Sequence, residues 1–314
     1  MADSIFTTKS TLIVVSILIS IILIGLPIGF IVWFNYDMTY GIGEIVILND
    51  QDFVDKYDCP GSGEIYDPYI IADYIIETSK DYAIYIEGTT KHFLITNCTI
   101  QCQKVGIYIK DTAEKTVDIV DNEIQKTSTG WFHLIITYNV PELVLINNNL
   151  SCSTNGVSAS GIKIDYGHAS IIMNNSCSNF ETGIEVFRSG DVYFEFNYIE
   201  SCIDGIILRE GDGSDIRNNV LFNNLGYGVK LLLCFGVEVY HNNFIDNAIY
   251  AGLDSQGYDD TADYEGFVEN SWYNIGLSEG NYWSELLWDD EVLYVIRGNG
   301  GRVDHHPLQF PVLI

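Results

Sequence analysis

An all-β parallel β-helix behind a single N-terminal membrane-spanning helix is the fold class this 314-residue sequence predicts. Three observations carry it. A short phrase returns eight times between Phe93 and Trp272, as LITNCTI, IVDNEI, LINNNL, IMNNSC, FEFNYI, IRNNVL, VYHNNF and FVENSW, in steps of 22 to 28 residues. A glycine followed by an apolar residue trails most copies, at Gly106, Gly130, Gly161, Gly183, Gly205 and Gly228. Before the repeats, Leu12 to Phe34 runs for 23 residues without a charge.

The repeat dictates strands rather than helices. Alternating pairs such as Ile107 and Ile109, or Ile162 and Ile164, have period two, and no copy offers the i, i+3, i+4, i+7 spacing of a helical repeat. One copy per coil, with coils stacked about 4.8 Å apart, places like residues above one another. The aligned residues Asn122, Asn148, Asn175, Asn197, Asn219 and Asn242 then form a structural ladder of side-chain amides, while isoleucine, leucine and phenylalanine fill the tube.

In order along the chain, residues 1–11 are a polar cytoplasmic tail and 12–34 are long enough to cross a bilayer. The run closes on Ile31-Val32-Trp33-Phe34 rather than on small residues, which favours an uncleaved signal anchor over a signal peptide. Lys9 precedes the run and acids follow it, so the rest of the chain is expected outside the cytoplasm. Residues 35–68 are a linker and N-terminal cap, with a strand at Ile45 to Leu48. The β-helix repeats, nine or ten coils, occupy 69–275, and 276–314 close the C-terminal end. Corner insertions at 151–160 and after Tyr250 interrupt the step.

Forty-three acids against fifteen Lys plus Arg give a net charge of −28, a field that disfavours nucleic acid as a partner. Seven cysteines without a C-x-x-C pair read as buried thiols.

The entry segment Gly61 to Ile71, with Gln256-Gly257-Tyr258-Asp259-Asp260, Gly280-Asn281-Tyr282-Trp283-Ser284 and Asp304-His305-His306-Pro307-Leu308, resembles the NosD-related parallel β-helix proteins. The resemblance spans nearly everything after residue 60. It implies right-handed winding and an extracytoplasmic setting of the kind found among archaeal surface proteins. It also implies polysaccharide binding or cleavage, or help in maturing a copper enzyme, as roles met in such folds. Glu285 to Glu291 replaces the acidic glycine-rich loop that many members carry there.

Three candidate sites follow. On the outer wall, one column reads Glu87, Lys110, Leu134, Asp165, Phe187, Arg209 and Leu232, beside Lys163, Glu185 and Lys230. Asp165, Glu185 and Arg209 are therefore the candidate catalytic set for a polysaccharide lyase or hydrolase, with alternating surface charges as the structural alternative. Asp254, Asp259, Asp260 and Asp263 are the best cluster for a cation, calcium by chemistry, although four carboxylates alone fall short of its six to eight oxygens. Leu94, Val120, Val144, Ile146, Ile171, Met173 and Tyr193 make an outward apolar strip suited to a partner or to cover by the chain itself. The histidines are scattered, and Asp304-His305-His306 reads as a turn rather than a copper site. The functional expectation is a non-catalytic, membrane-anchored surface protein binding carbohydrate or another surface protein.

Overall fold

The computed structural model describes residues 39–40, 43–153, 159–247, 259–260, 270–274, 276–284, 293–295 and 303–313. Three parallel sheets form the walls of a β-helix. Sheet 1 has eight strands (Tyr69–Ala72, Phe93–Thr96, Val117–Val120, Val144–Ile146, Ile171–Met173, Tyr193–Glu195, Asp215–Arg217 and Glu238–Tyr240). Sheet 2 follows each asparagine corner, from Thr39–Tyr40 and Tyr74–Thr78 through Asn243–Ile245 to Tyr282–Trp283. Sheet 3 carries the glycine marks, from Ile45–Ile47 and Tyr82–Glu87 through Val229–Leu232 to Asp259–Asp260. Seven turns are complete between Tyr69 and Leu232, and an eighth begins at Glu238. The described stack is thus shorter than the nine or ten coils expected.

Register makes the core. In sheet 1, Ile71, Ile95, Ile119, Leu145, Ile172, Phe194, Ile216 and Val239 lie one above another, all without solvent exposure. Apolar columns in sheets 2 and 3 face them, so each strand buries alternate side chains as the period of two requires. One core column contains a misfit. Thr137 stands between Ile109 and Ile164, fully buried, with its hydroxyl unpartnered.

The asparagine corner is built from two consecutive residues. The first, at Asn97, Asp121, Asn147, Asn174, Phe196, Asn218 and His241, has φ between 52° and 58°, a left-handed conformation that Asn and Asp tolerate better than other residues. The second turns inward. From Asn122 to Asn242, its backbone N–H and side-chain Nδ2 both donate to the Oδ1 of the next coil's asparagine at 2.9–3.1 Å. Nδ2 also donates to carbonyls of the same and the preceding coil, as from Asn122 to Val120 and Ile95.

The ladder has two distinct ends. Cys98 occupies the first rung, where its thiol donates to the carbonyls of Ile71 and Thr96 and its N–H donates to Asn122. A thiol supplies the donor that this rung needs. At the far end Asn242 donates to Asn281, and the Asn281 N–H donates to the buried Asp304 carboxylate at 2.8 Å. Asp304 also accepts from Trp283 Nε1 at 3.0 Å and from the His306 N–H at 3.0 Å. A Cβ on Gly280 would lie 2.0 Å from the Asp304 carboxylate, which explains why glycine precedes this last rung. A shorter ladder, Cys202 to Asn224 to Asn247, begins with cysteine in the same way.

Aromatic plugs close the tube. At one end Phe53, on the one-turn helix α1 (Asp52–Asp55), stacks on Tyr69 at 4.7 Å and meets Phe93 at 5.4 Å. At the other, Phe244 stacks on Trp283 at 4.2 Å, with Trp272 beside them. All seven cysteines are buried, and none is in a disulfide. Residues 12–34 lie outside the described residues, among which no helix is long and apolar enough to cross a membrane.

Candidate functional site

The outer face of sheet 3 carries the chemistry. Its edge column reads Glu87, Lys110, Tyr138, Asp165, Phe187, Arg209 and Leu232, beside Tyr85, Tyr108, Ile136, Lys163, Glu185, Ile207 and Lys230. Tyr138 therefore stands where Leu134 was expected, and Leu134 is buried. The correction has a local cause. Gly130 does not open the strand: Ile135 pairs with Ile107 and Ile162, so the corner from Thr127 to Leu134 is longer than that of the preceding coil, Gln103 to Gly106.

That longer corner projects two side chains over the wall. Trp131 is 65% exposed, and with His133, Ala159, Ser160, Lys163, Glu181, Thr182, Glu185 and Ile207 it lines a groove of about 300 Å3. Ser160 ties the groove together: its Oγ donates to Glu185 at 2.9 Å, and its N–H donates to His133 Nδ1 at 3.0 Å. Burial pushes the His133 imidazole down to about 4, so it is neutral at pH 7, and with Nδ1 accepting, Nε2 carries the proton. Lys163 pairs with Glu185 at 3.7 Å, and Lys230 with Asp204 at 3.7 Å.

Burial raises the carboxyls of Asp165 and Glu181 above their ordinary range, Glu181 with added repulsion from Asp204 and Glu185. Asp165 Oδ1 is buried and unpartnered. Asp165 and Glu185 are diagonal neighbours on one face and feel each other's charge. Arg209 lies two strands from Asp165 with Phe187 between, and is the diagonal neighbour of Glu185 on its other side. Trp131, His133, Ser160 and Glu181 were not singled out from the sequence. The available signal was the corner length, since an insertion in a solenoid marks one face.

The other candidates divide. Asp259 and Asp260 form a two-residue strand against Leu231 and Leu232, while Asp254 and Asp263 lie outside the described residues. The apolar strip occupies two adjacent outward columns of sheet 1, mostly half-buried, with Asp118 between Leu94 and Val144 and with Asp215 following Tyr193.

A profile of the family described as periplasmic copper-binding protein (NosD) matches residues 70–287. The chain belongs to the NosD family. No curated protein matches it. Among solved structures, the GH136 lacto-N-biosidase from Eubacterium ramulus is 10% identical, with a TM-score of 0.20 over 59% of this chain and 50% of that enzyme. So slight a likeness carries no argument, and this chain spans only half of that enzyme's length.

The copper in the NosD family's description calls for gathered thiolate, thioether or imidazole ligands. Cys98, Cys102 and Cys202 are pushed by burial up to about 12 and Cys59 to about 11, so these thiols stay protonated. Met173 lies on the outer wall of sheet 1, and His241 is engaged with Glu279 at 2.6 Å. Among the described residues no three His, Cys, Asp or Glu side chains converge as metal ligands. The described residues do not fit a copper site.

Proposed function

We propose that this NosD-family protein is anchored to the membrane by residues 12–34 and displays its β-helix outside the cytoplasm. There the outer wall of sheet 3 binds carbohydrate without cleaving it. The observation that carries the reading is the groove itself, an exposed indole beside ordered hydrogen-bonding side chains on a rigid wall. Sugars are bound by such pairings, the ring face on an aromatic surface and the hydroxyls on polar groups. Aromatic side chains continue along the wall, with Tyr82, Tyr85 and Tyr108 in contact at 5.0–5.5 Å and Tyr138 meeting Tyr166 at 5.4 Å. The family's periplasmic description and the net charge of −28 suit an external, soluble wall.

The test is titration of the purified full-length chain with neutral, acidic and amino polysaccharides while product release is followed. Saturable binding without cleavage, lost in Trp131→Ala, supports the reading; no binding to any glycan overturns it and moves the search to protein partners for the strip in sheet 1.

Hydrolysis is the second reading, favoured by one observation. Asp165, raised by burial, stands beside Glu185, which is held by Ser160 and Lys163; a carboxyl raised in this way suits the acid role beside a second carboxylate. Product release abolished by Glu185→Gln would replace the binding reading with this one.

A further inference from the structure

We propose that Lys126, buried beneath the corner from Thr127 to Leu134, is the positioning residue that holds Trp131 over the groove, so that its charge controls whether the sugar-binding face is formed. The inference rests on the carbohydrate-binding reading and adds a control to that same groove.

Lys126 is out of place in a core. It ends the strand Glu123–Lys126 of sheet 2 and stands in an inward column, between Cys102 on one neighbouring strand and Cys152 on the other. It has no solvent exposure, and it is the one buried lysine or arginine among the described residues. The charged and titratable groups around it are those two thiols, the Lys104 ammonium near the Phe132 ring and His133 at the end of the corner. None of them is a carboxylate. Cys102 is pushed up to about 12, chiefly by burial, and His133 is neutral at pH 7, so neither offers a counter-charge. A buried ammonium without a counter-ion costs stability, and an apolar side chain of the same length would fill the column at no such cost. The charge is spent on the corner above instead.

The two contacts of the ammonium fall on either side of Trp131. Nζ donates to the Gly130 carbonyl and lies 5.5 Å from the centre of the Phe132 ring. The same carbonyl accepts the Phe132 N–H at 3.1 Å. A Cβ on Gly130 would come within 2.6 Å of the Phe132 ring, so a glycine at this place lets the ring fold back against the corner. Both neighbours of the 65% exposed indole are thereby tied to one cation. The ends of the corner are fixed separately, by the Thr127 N–H donating to Cys102 at 2.9 Å and the Leu134 N–H donating to Ser160 at 3.1 Å, which leaves Lys126 to govern the apex. A charge-assisted hydrogen bond weakens and a cation–π contact vanishes when the ammonium loses its proton. Burial holds Lys126 below the ordinary lysine range, so the tie loosens at milder alkalinity than a surface lysine would allow.

The experiment compares the full-length chain with Lys126→Met and Phe132→Leu. Methionine has similar length and no charge, so Lys126→Met removes the ammonium and still fills the column. Its denaturation midpoint should equal or exceed that of wild type, because the Gly130 carbonyl keeps the Phe132 N–H. Phe132→Leu, at a half-buried position outside the core column, tests the same tie without touching the core. Trp131 mobility is read as fluorescence anisotropy, isolated by difference against Trp131→Phe made in each protein. Both variants should lower it. Both should also weaken binding of the β-1,4-linked hexasaccharides of glucose and of N-acetylglucosamine by about threefold to tenfold, the cost of re-ordering one corner on binding. In wild type the anisotropy should fall toward the Lys126→Met value as the pH rises from about 7 to about 10, while Lys126→Met stays level. A lowered midpoint for Lys126→Met with Trp131 anisotropy unchanged overturns the proposal and leaves Lys126 a core residue only. Wild-type anisotropy that runs parallel to Lys126→Met at every pH overturns it as well. If wild type binds no glycan, the carbohydrate-binding reading falls, and the anisotropy still decides whether Lys126 positions Trp131.

Discussion

Replacing Asp304 by alanine should unlock the C-terminal end of the stack. The carboxylate takes hydrogen bonds from the Asn281 N–H, Trp283 Nε1 and the His306 N–H at 2.8–3.0 Å. His306 is exposed and regains water, but the buried Asn281 N–H and Trp283 Nε1–H would lose this acceptor. Each orphaned buried donor costs about 1–3 kcal/mol, so the pair costs about 2–6 kcal/mol. Part is returned, because burial pushes the Asp304 carboxyl above its ordinary range and removing it ends that penalty. A net loss of about 2–4 kcal/mol corresponds to a melting shift of about 4–16 °C for a domain of this size. The loss should be local, since each coil touches only its neighbours. Hydrogen exchange followed by mass spectrometry should show faster exchange at Asn242 and at 280–284, with Asn122 and Asn148 unchanged. Asp304→Asn should lie between, keeping an oxygen for Asn281 and Trp283 while turning an NH2 toward the His306 N–H. Calorimetry placing Asp304→Ala within about 1 °C of wild type, with exchange at 280–284 unaltered, would refute the reasoning.

Other perturbations test the same physics elsewhere. Thr137→Val removes a buried, unpartnered hydroxyl from an isoleucine column and should stabilise the fold by about 1 kcal/mol, read as a raised denaturation midpoint. Asn197→Ala takes an acceptor from both nitrogens of Asn175 and a donor from the Ile172 carbonyl; a loss of about 3–6 kcal/mol is expected in denaturant titration, and a loss below 1 kcal/mol would show that the ladder is decorative. Asp165→Asn should stabilise at neutral pH only. The folded-state carboxyl titrates above its unfolded value, so ionisation opposes folding, and the variant's advantage is absent below about pH 4 and grows as pH rises through the folded-state value in paired thermal scans. All seven cysteines are buried outside any disulfide, so a thiol reagent should find fewer than one per native chain and all seven after unfolding.

The repeat was legible because a solenoid converts sequence period into contact. Residues 22 to 27 apart touch, so Asn148 aligned with Asn175 in the sequence is Asn148 bonded to Asn175 in space. The same rule explains what was not legible. Asn281 is 39 residues from Asn242, and its acceptor is a carboxylate 23 residues further on, so neither the spacing nor the residue type announced them as rungs. Gly130 misled for a related reason: it copies the glycine mark within an enlarged corner, and Leu134 takes the place beside Gly106 instead. The groove was invisible because Trp131 and Glu181 belong to corners, where no period links a residue to its spatial neighbours. Asp165, Glu185 and Arg209 lie on strands, so register sets all three within two coil spacings of one another.

The rungs are oriented. Every rung from Asn122 to Asn242 turns its backbone N–H and one Nδ2–H toward the C-terminal end and its Oδ1 toward the preceding rung, so the small dipoles add along the axis and leave positive potential where Asp304 places its carboxylate. A polar filament of this kind has a direction but no natural length. Any interior rung presents the same acceptor behind and the same donors ahead, so a whole coil can be duplicated or excised between Cys98 and Asn281 without changing either terminus. Wall length, and with it the number of ligand units spanned, becomes a quantity that gene duplication can adjust one coil at a time.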